Sequence, residues 1–246
     1  MDRLKRQYYL DRIGVQAWEL KSSGPSSAQI QSAQDSAVLP VDQAPDLPGA
    51  TGVDEAASLE TLQKTVAACT LCELHRTRTQ TVFGTGHPHA EWLVIGEAPG
   101  FEEDRKGEPF VGRAGQLLTK MLLAIGLTRD QVFITNILKC RPPENRDPHQ
   151  EEIVNCHPYL HQQISFIQPK IILAMGRIAA QALLDTNTSI GRLRGIPHQY
   201  GDTGIPVVAT YHPAYLLRSP QQKRRAWEDL KLAVRIKDSQ DPSQPG

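Results

Sequence analysis

At 246 residues, with 39% hydrophobic, 22% charged and 6% aromatic residues, the chain is long enough for one sizeable domain plus an appendage and too apolar to be wholly disordered. Its longest apolar stretches, such as Ile171 to Met175, fall far short of the roughly 18 consecutive apolar residues of a membrane span. The charged start Met-Asp-Arg-Leu-Lys-Arg has no apolar signal core, so a cytoplasmic protein is expected.

The 27 basic and 27 acidic groups balance, so phosphate binding would have to come from a patch; the densest is Lys223-Arg224-Arg225, close to Arg218. In chain order, residues 1–21 carry Leu4, Tyr8, Tyr9, Ile13 and Trp18, with Leu4/Tyr8 and Tyr9/Ile13 at helical spacing and Gly14 as a stop, which reads as a short docking arm. Residues 22–57 are rich in Ser, Ala, Gln, Pro and Asp and too poor in large apolar groups to offset their ordering entropy, so a disordered linker is expected.

A globular pattern begins at 58 and is expected to run to 237, with 238–246 as a disordered tail. Leu59, Leu62, Val66 and Cys69 have helical spacing, and Trp92-Leu-Val-Ile95, bounded by Gly96, reads as a buried strand. A helix over 117–125 stopped by Gly126, a strand over 132–135, a helix over 149–167 and a strand over 170–175 follow. A helix over 177–184, a strand over 206–210 and a helix over 222–236 complete the series. Such alternation predicts an α/β fold of three layers, α/β/α, around a central, mainly parallel sheet. Chemistry in such folds lies beyond the carboxyl ends of the strands, where Gly96, Asn136, Gly176 and His212 all fall.

Four cysteines lie in that region: Cys69 and Cys72 as C-x2-C, then Cys140 and Cys156. A reducing compartment disfavours disulfides, and C-x2-C is a chelating spacing, so a shared metal centre is expected. The spread second pair leaves zinc and an iron–sulfur cluster both open. With four thiolates bound no coordination position stays free, which predicts a structural role. Gly96-Glu-Ala-Pro-Gly100 would let a ligand approach backbone N–H groups closely. The stretch from Gly107 to Ala114 has phosphate-loop spacing, but Arg113 and Ala114 replace its Lys and hydroxyl residue, so a nucleotide hydrolase is not expected.

Taken together and in order, C-x2-C, GEAPG, EPFVGRAGQLL, TNILKCRPPENRDP, Cys156 and HPAYLLR resemble the type-4 uracil-DNA glycosylases, the iron–sulfur branch of their superfamily, over residues 59 to 237. The resemblance implies a uracil-DNA glycosylase-like fold, uracil-containing DNA as substrate, a monomeric enzyme, and Cys69, Cys72, Cys140 and Cys156 as ligands of a [4Fe-4S] cluster. It implies that Gly96, Glu97 and Ala98 line the uracil pocket, that Phe110 stacks on the extruded base and that Asn136 reads its Watson–Crick edge. His212 would donate to uracil O2, Leu216 or Leu217 would wedge into the duplex, and Arg218 would meet phosphate.

In the better-known branch the corresponding loop begins Gly-Gln-Asp-Pro-Tyr; here Ala98 replaces its water-positioning Asp, so Glu97 or backbone groups are expected to hold the attacking water. Gly100 replaces the Tyr that excludes thymine, and Glu103 is the residue expected to crowd a 5-methyl group. The stretch from Lys139 to Arg146 lacks the histidine with which a sister group traps DNA covalently, so turnover is expected. The arm resembles the N-terminal peptide of the clamp-loader psi subunit, implying a replication partner for residues 1–21. The competing expectation is a catalytically idle DNA- or replisome-binding subunit on the same fold.

Overall fold

The computed structural model describes residues 58–240; the expected docking arm, the linker and residues beyond 240 lie outside the described residues. Ser58 caps the first helix, α1 (Leu59–Ala67), by accepting from the Thr61 N–H at 3.2 Å, and Leu62 and Val66 face inward. Strand β1 (Thr85–Gly86) is followed by β2 (Trp92–Gly96), α2 (Phe101–Lys106), α3 (Arg113–Ala124) and β3 (Val132–Asn136). The described residues that follow form α4 (Gln150–Ile167), β4 (Ile171–Met175), α5 (Arg177–Leu183), α6 (Ile190–Leu193), β5 (Pro197–Gln199), β6 (Pro206–Thr210), α7 (Pro213–Arg218) and α8 (Lys223–Ser239).

One six-stranded sheet runs in the order β1-β3-β2-β4-β6-β5. Its inner four strands are parallel, and the two edge strands are antiparallel to their neighbours. The inner strands are buried on both faces, which is why they read as near-continuous apolar runs. Val94, Ile134, Leu173 and Val208 point to one face with Leu118, Leu122, Trp227 and Leu230 of α3 and α8. Leu93, Phe133, Ile172 and Val207 point to the other with Val66, Leu160, Ile164 and Ala180 of α1, α4 and α5. The three expected layers are present.

The chain leaves β2 toward β3 through α3 and leaves β4 toward β6 on the opposite face, so the winding reverses between β2 and β4. Ligands of open α/β sheets bind at the carboxyl ends beside such a reversal.

Two helix ends and one added helix depart most from expectation. Helix α3 starts at Arg113 rather than 117, because its first turn is polar and holds Gly115, which periodicity cannot register. Helix α8 continues to Ser239, past the expected end at 236 and into the expected tail. PAYLLR of the HPAYLLR motif forms a helix, with Pro213 at its first position, where the missing N–H is no loss. None of the described helices is long and apolar enough to cross a membrane.

Candidate active site and cysteine cavity

Gly96 and Asn136 end neighbouring strands and are paired in register. A Cβ placed on Gly96 would lie 2.4 Å from Asn136 Oδ1 and 2.5 Å from Phe110 Cζ, so the amide and the aromatic ring converge on the space that this glycine leaves open. Among the described residues the Asn136 carboxamide makes no hydrogen bond to protein, although the residue is 2% exposed. Its donor and acceptor remain available for a ligand edge.

Phe110 is held there by its backbone. It adopts φ +56°, a conformation uncommon outside glycine. Arg129 donates to the carbonyl oxygens of Pro109 at 2.8 Å and Phe110 at 3.3 Å. The Phe110 carbonyl occupies the place a Cβ on residue 115 would need, at 1.6 Å, so that turn of α3 requires Gly115. Glu103 completes the support: its Oε1 accepts from the N–H groups of Val111 and Gly112, both at 2.9 Å. Its Oε2 lies 2.8 Å from where a Cβ on Gly100 would stand, so the same carboxylate that fixes the Phe110 loop also borders the position at which it is expected to crowd a 5-methyl group.

His212 follows β6 and caps α7. Its Nδ1 takes the Ala214 N–H at 3.2 Å. A backbone N–H can only donate, so Nδ1 accepts, and the proton of the neutral ring sits on Nε2. The imidazole centroid lies 5.6 Å from that of Phe110, at an interplanar angle of 34°. Burial first, and the Arg218 charge second, push the His212 pKa down to about 4, against the opposing pull of Glu103. The ring is neutral at pH 7, with Nε2–H as its donor. Gly176, at φ +97°, lets the β4 end pass: a Cβ there would stand 2.9 Å from that of His212.

Glu97 is half-buried beside Gly96, and burial, with the Asp147 charge adding to it, raises its carboxyl to about 7 against the countering effect of Arg177. Ala98 packs against the core. Leu216 corrects an expectation: it is 1% exposed within the core, as the helical period from buried Pro213 dictates. Leu217, 38% exposed, and the exposed Arg218 face outward.

Cys69, Cys72, Cys140 and Cys156 line one cavity together with Val66, Leu71 and Tyr159. Among the described residues no three His, Cys, Asp or Glu donors converge closely enough to hold a single ion. Burial raises the Cys72 and Cys140 thiols and pushes Cys156 up to about 11. Arg78 Nη1 donates to Cys140 Sγ at 3.1 Å and the Lys139 N–H to Cys156 Sγ at 3.3 Å, contacts that favour thiolates. Lys139 itself is 1% exposed, and its Nζ donates to Thr135 Oγ1 at 2.8 Å and to the Asn136 carbonyl at 2.6 Å. One buried ammonium thus joins the cysteine loop to the strand end that carries Asn136.

Arg78, Arg129 and Lys139 are not identifiable from sequence, because nothing local shows a cation folding onto a distant carbonyl or sulfur.

The uracil DNA glycosylase superfamily model matches residues 83–231. A type-4 uracil-DNA glycosylase of Archaeoglobus fulgidus is 43% identical over 192 residues, covering 76% of this chain and 96% of the relative. One from Sulfurisphaera tokodaii is 47% identical over 181 residues, covering 71% and 82%. One from Thermotoga maritima is 43% identical over 178 residues, covering 71% and 92%.

Proposed function

The chain belongs to the uracil DNA glycosylase superfamily and stands with its type-4 members, and we propose that it hydrolyses the N-glycosidic bond of uracil in DNA, leaving an abasic site for base excision repair. The observation that carries this reading is the convergence of Phe110 and Asn136 on Gly96 beside a His212 whose free proton is on Nε2. Extruding a base costs a few kcal/mol, and stacking on Phe110 offsets part of it. Asn136 Nδ2–H would donate to uracil O4 while Oδ1 accepts from N3–H. Cytosine presents a donor and an acceptor at those places, and a mismatched buried edge of this kind can reject by factors of about 10⁴–10⁵.

As N1–C1′ breaks, its electron pair moves into the base and negative charge gathers on O2, where the His212 Nε2–H would donate and would be worth more than in water. Water then adds to C1′, and the proton it loses neutralises the departed uracil anion. Glu97, with its carboxyl at about 7, is ionised in a good fraction of molecules at neutral pH and is the residue proposed to hold that water. Leu217, rather than Leu216, is proposed as the wedge that fills the vacated stack, with Arg218 on phosphate. Turnover follows from a loop without a trapping histidine.

The chemistry of the cavity suits a [4Fe-4S] cluster: all four cysteines line it, and the Arg78 guanidinium and the Lys139 N–H donate to two of their sulfurs, which would stabilise thiolate charge. Cys69, Cys72, Cys140 and Cys156 would hold it, and bound there it would tie the loop after α1 to the loop after β3 and to α4. Residues 1–21 are proposed to tether the enzyme to replication machinery, raising its effective concentration near new DNA. Failure of a peptide of residues 1–21 to bind purified clamp loader would remove that idea.

The enzymatic reading is tested with anaerobically purified protein on a single-uracil oligonucleotide, scoring alkali-labile abasic sites beside Asn136→Ala. Cleavage that is lost in the variant supports enzyme and pocket together. Tight DNA binding without abasic sites, by protein that carries its iron, would make it an idle binding subunit.

A further inference from the structure

Phe101 is 56% exposed, an unusual place for a large aromatic ring, and it stands one residue past the Gly96–Gly100 loop. The Arg141 guanidinium lies over that ring, its Cζ 5.1 Å from the centroid. Arg141 is pinned a second time by its Nε, which donates to Asn145 Oδ1 at 2.8 Å. Glu144 and Asn145, at φ +55° and +54°, form the strained turn that brings this amide back toward Arg141. Two successive non-glycine residues in that region cost of order 1–3 kcal/mol each, and such strain clusters at binding sites. Among the described residues no carboxylate pairs with Arg141, so both terminal Nη groups remain open in a fixed fork.

The acidic residues of α2 do not repel an anion here as strongly as their number suggests. Glu102 pairs with Arg105 at 2.7 Å, Glu103 accepts from Val111 and Gly112, and buried Asp104 accepts from the Thr79 N–H. Position completes the argument. Phe101 and Arg141 follow the ends of β2 and β3, whose last residues Gly96 and Asn136 form the pocket, whereas Leu217 and Arg218 follow the end of β6.

We propose that Phe101 and Arg141 form a second rim contact for DNA, on the opposite side of the pocket from Leu217: the Phe101 face stacks on an unpaired base flanking the extruded uridine, and the Arg141 fork holds a backbone phosphate. The inference rests on the glycosylase reading and names how the same site grips its strand. An aromatic platform beside a preorganised cation is the arrangement that binds unstacked nucleotides without regard to sequence.

Anisotropy with oligonucleotides carrying a tetrahydrofuran abasic analogue measures binding apart from catalysis. Phe101→Ala should weaken binding about 5- to 20-fold, more on single strands than on duplex, where flanking bases stay stacked. Arg141→Gln should weaken it and make the log–log salt slope shallower by about 0.7–1, whereas Phe101→Ala should leave that slope unchanged. Cleavage of bound uracil in single turnover at saturating enzyme should stay close to wild type in both. Because Arg141 adjoins Cys140, its variant is compared at equal iron content; Phe101→Ala carries no such link and keeps the test independent. Wild-type affinity and slope in both variants would overturn the proposal, as would loss of cleavage at saturation with unchanged affinity. Should wild-type protein bind but release no uracil, the glycosylase reading would fail while the rim contact was still measured.

Discussion

Protonating His212 should destabilise the fold, and the size of the effect follows from its surroundings. The ring's pKa falls from the ordinary 6.5 to about 4 on folding. Between these values the unfolded chain binds the proton and the folded chain does not, so stability rises with pH across the window and is lost as pH falls from 6.5 toward 4. A gap of about 2.5 units at 1.36 kcal/mol each corresponds to roughly 3 kcal/mol, lost in full only below pH 4. The structural cause is twofold: charge in a buried site, and an Nδ1 that once protonated no longer accepts the Ala214 N–H. His212→Asn removes the titration while keeping a good helix-capping residue. In urea unfolding from pH 8 to 4, the wild-type minus variant stability should be flat above about 7 and fall by up to about 3 kcal/mol below, common acid effects on the cysteines cancelling. An imidazole NMR titration with its inflection near 6.5, or a spectrum of the Nδ1–H tautomer, would refute both the stability argument and the donor assigned to uracil O2.

Gly96→Ala should abolish uracil release and destabilise by about 1–3 kcal/mol, because the new methyl lands within contact of Asn136 Oδ1 and the Phe110 ring; abasic-site yield and a thermal melt test both. The single-turnover rate of the wild type should rise with pH through about 7 as Glu97 ionises, and in Glu97→Gln that inflection should vanish with a loss of about 10²–10⁴ in rate. An unchanged profile in the variant would remove Glu97 from holding water. Cys140→Ser should lower iron content and visible absorbance and reduce the melting temperature, as expected where ligand binding and folding are coupled; full iron retention would argue against the cluster assignment.

The layers were legible because each inner strand is sealed on both faces and each core helix shows one apolar stripe. Strand β1, two residues of Thr and Gly, and β5, Pro-His-Gln, carry no such stripe; their strand character comes only from the neighbour they pair with. In the candidate site, Gly96, Phe110, Asn136 and His212 were accessible through the joint motifs, yet why Phe110 stays in place was not: Arg129 reaches back across the chain, and one Glu103 oxygen accepts from backbone N–H groups. The difference between Leu216 and Leu217 is legible in HPAYLLR: a 3.6-residue period starting at Pro213 puts Leu216, three residues on, on the buried side.

The left-handed turn at Phe110, braced by Arg129, Glu103 and the bare Cα of Gly115, has a kinetic consequence. Because the ring is positioned by main chain, it does not wait for a guest to order it. On the proposed reading, a uracil that breathes out of the helix for a moment would meet a finished slot, and its fate would be a race between entry and re-stacking. Residues that merely assembled around the base would lose that race more often, which gives the strained turn a share in how fast damage is found as well as in how tightly it is held.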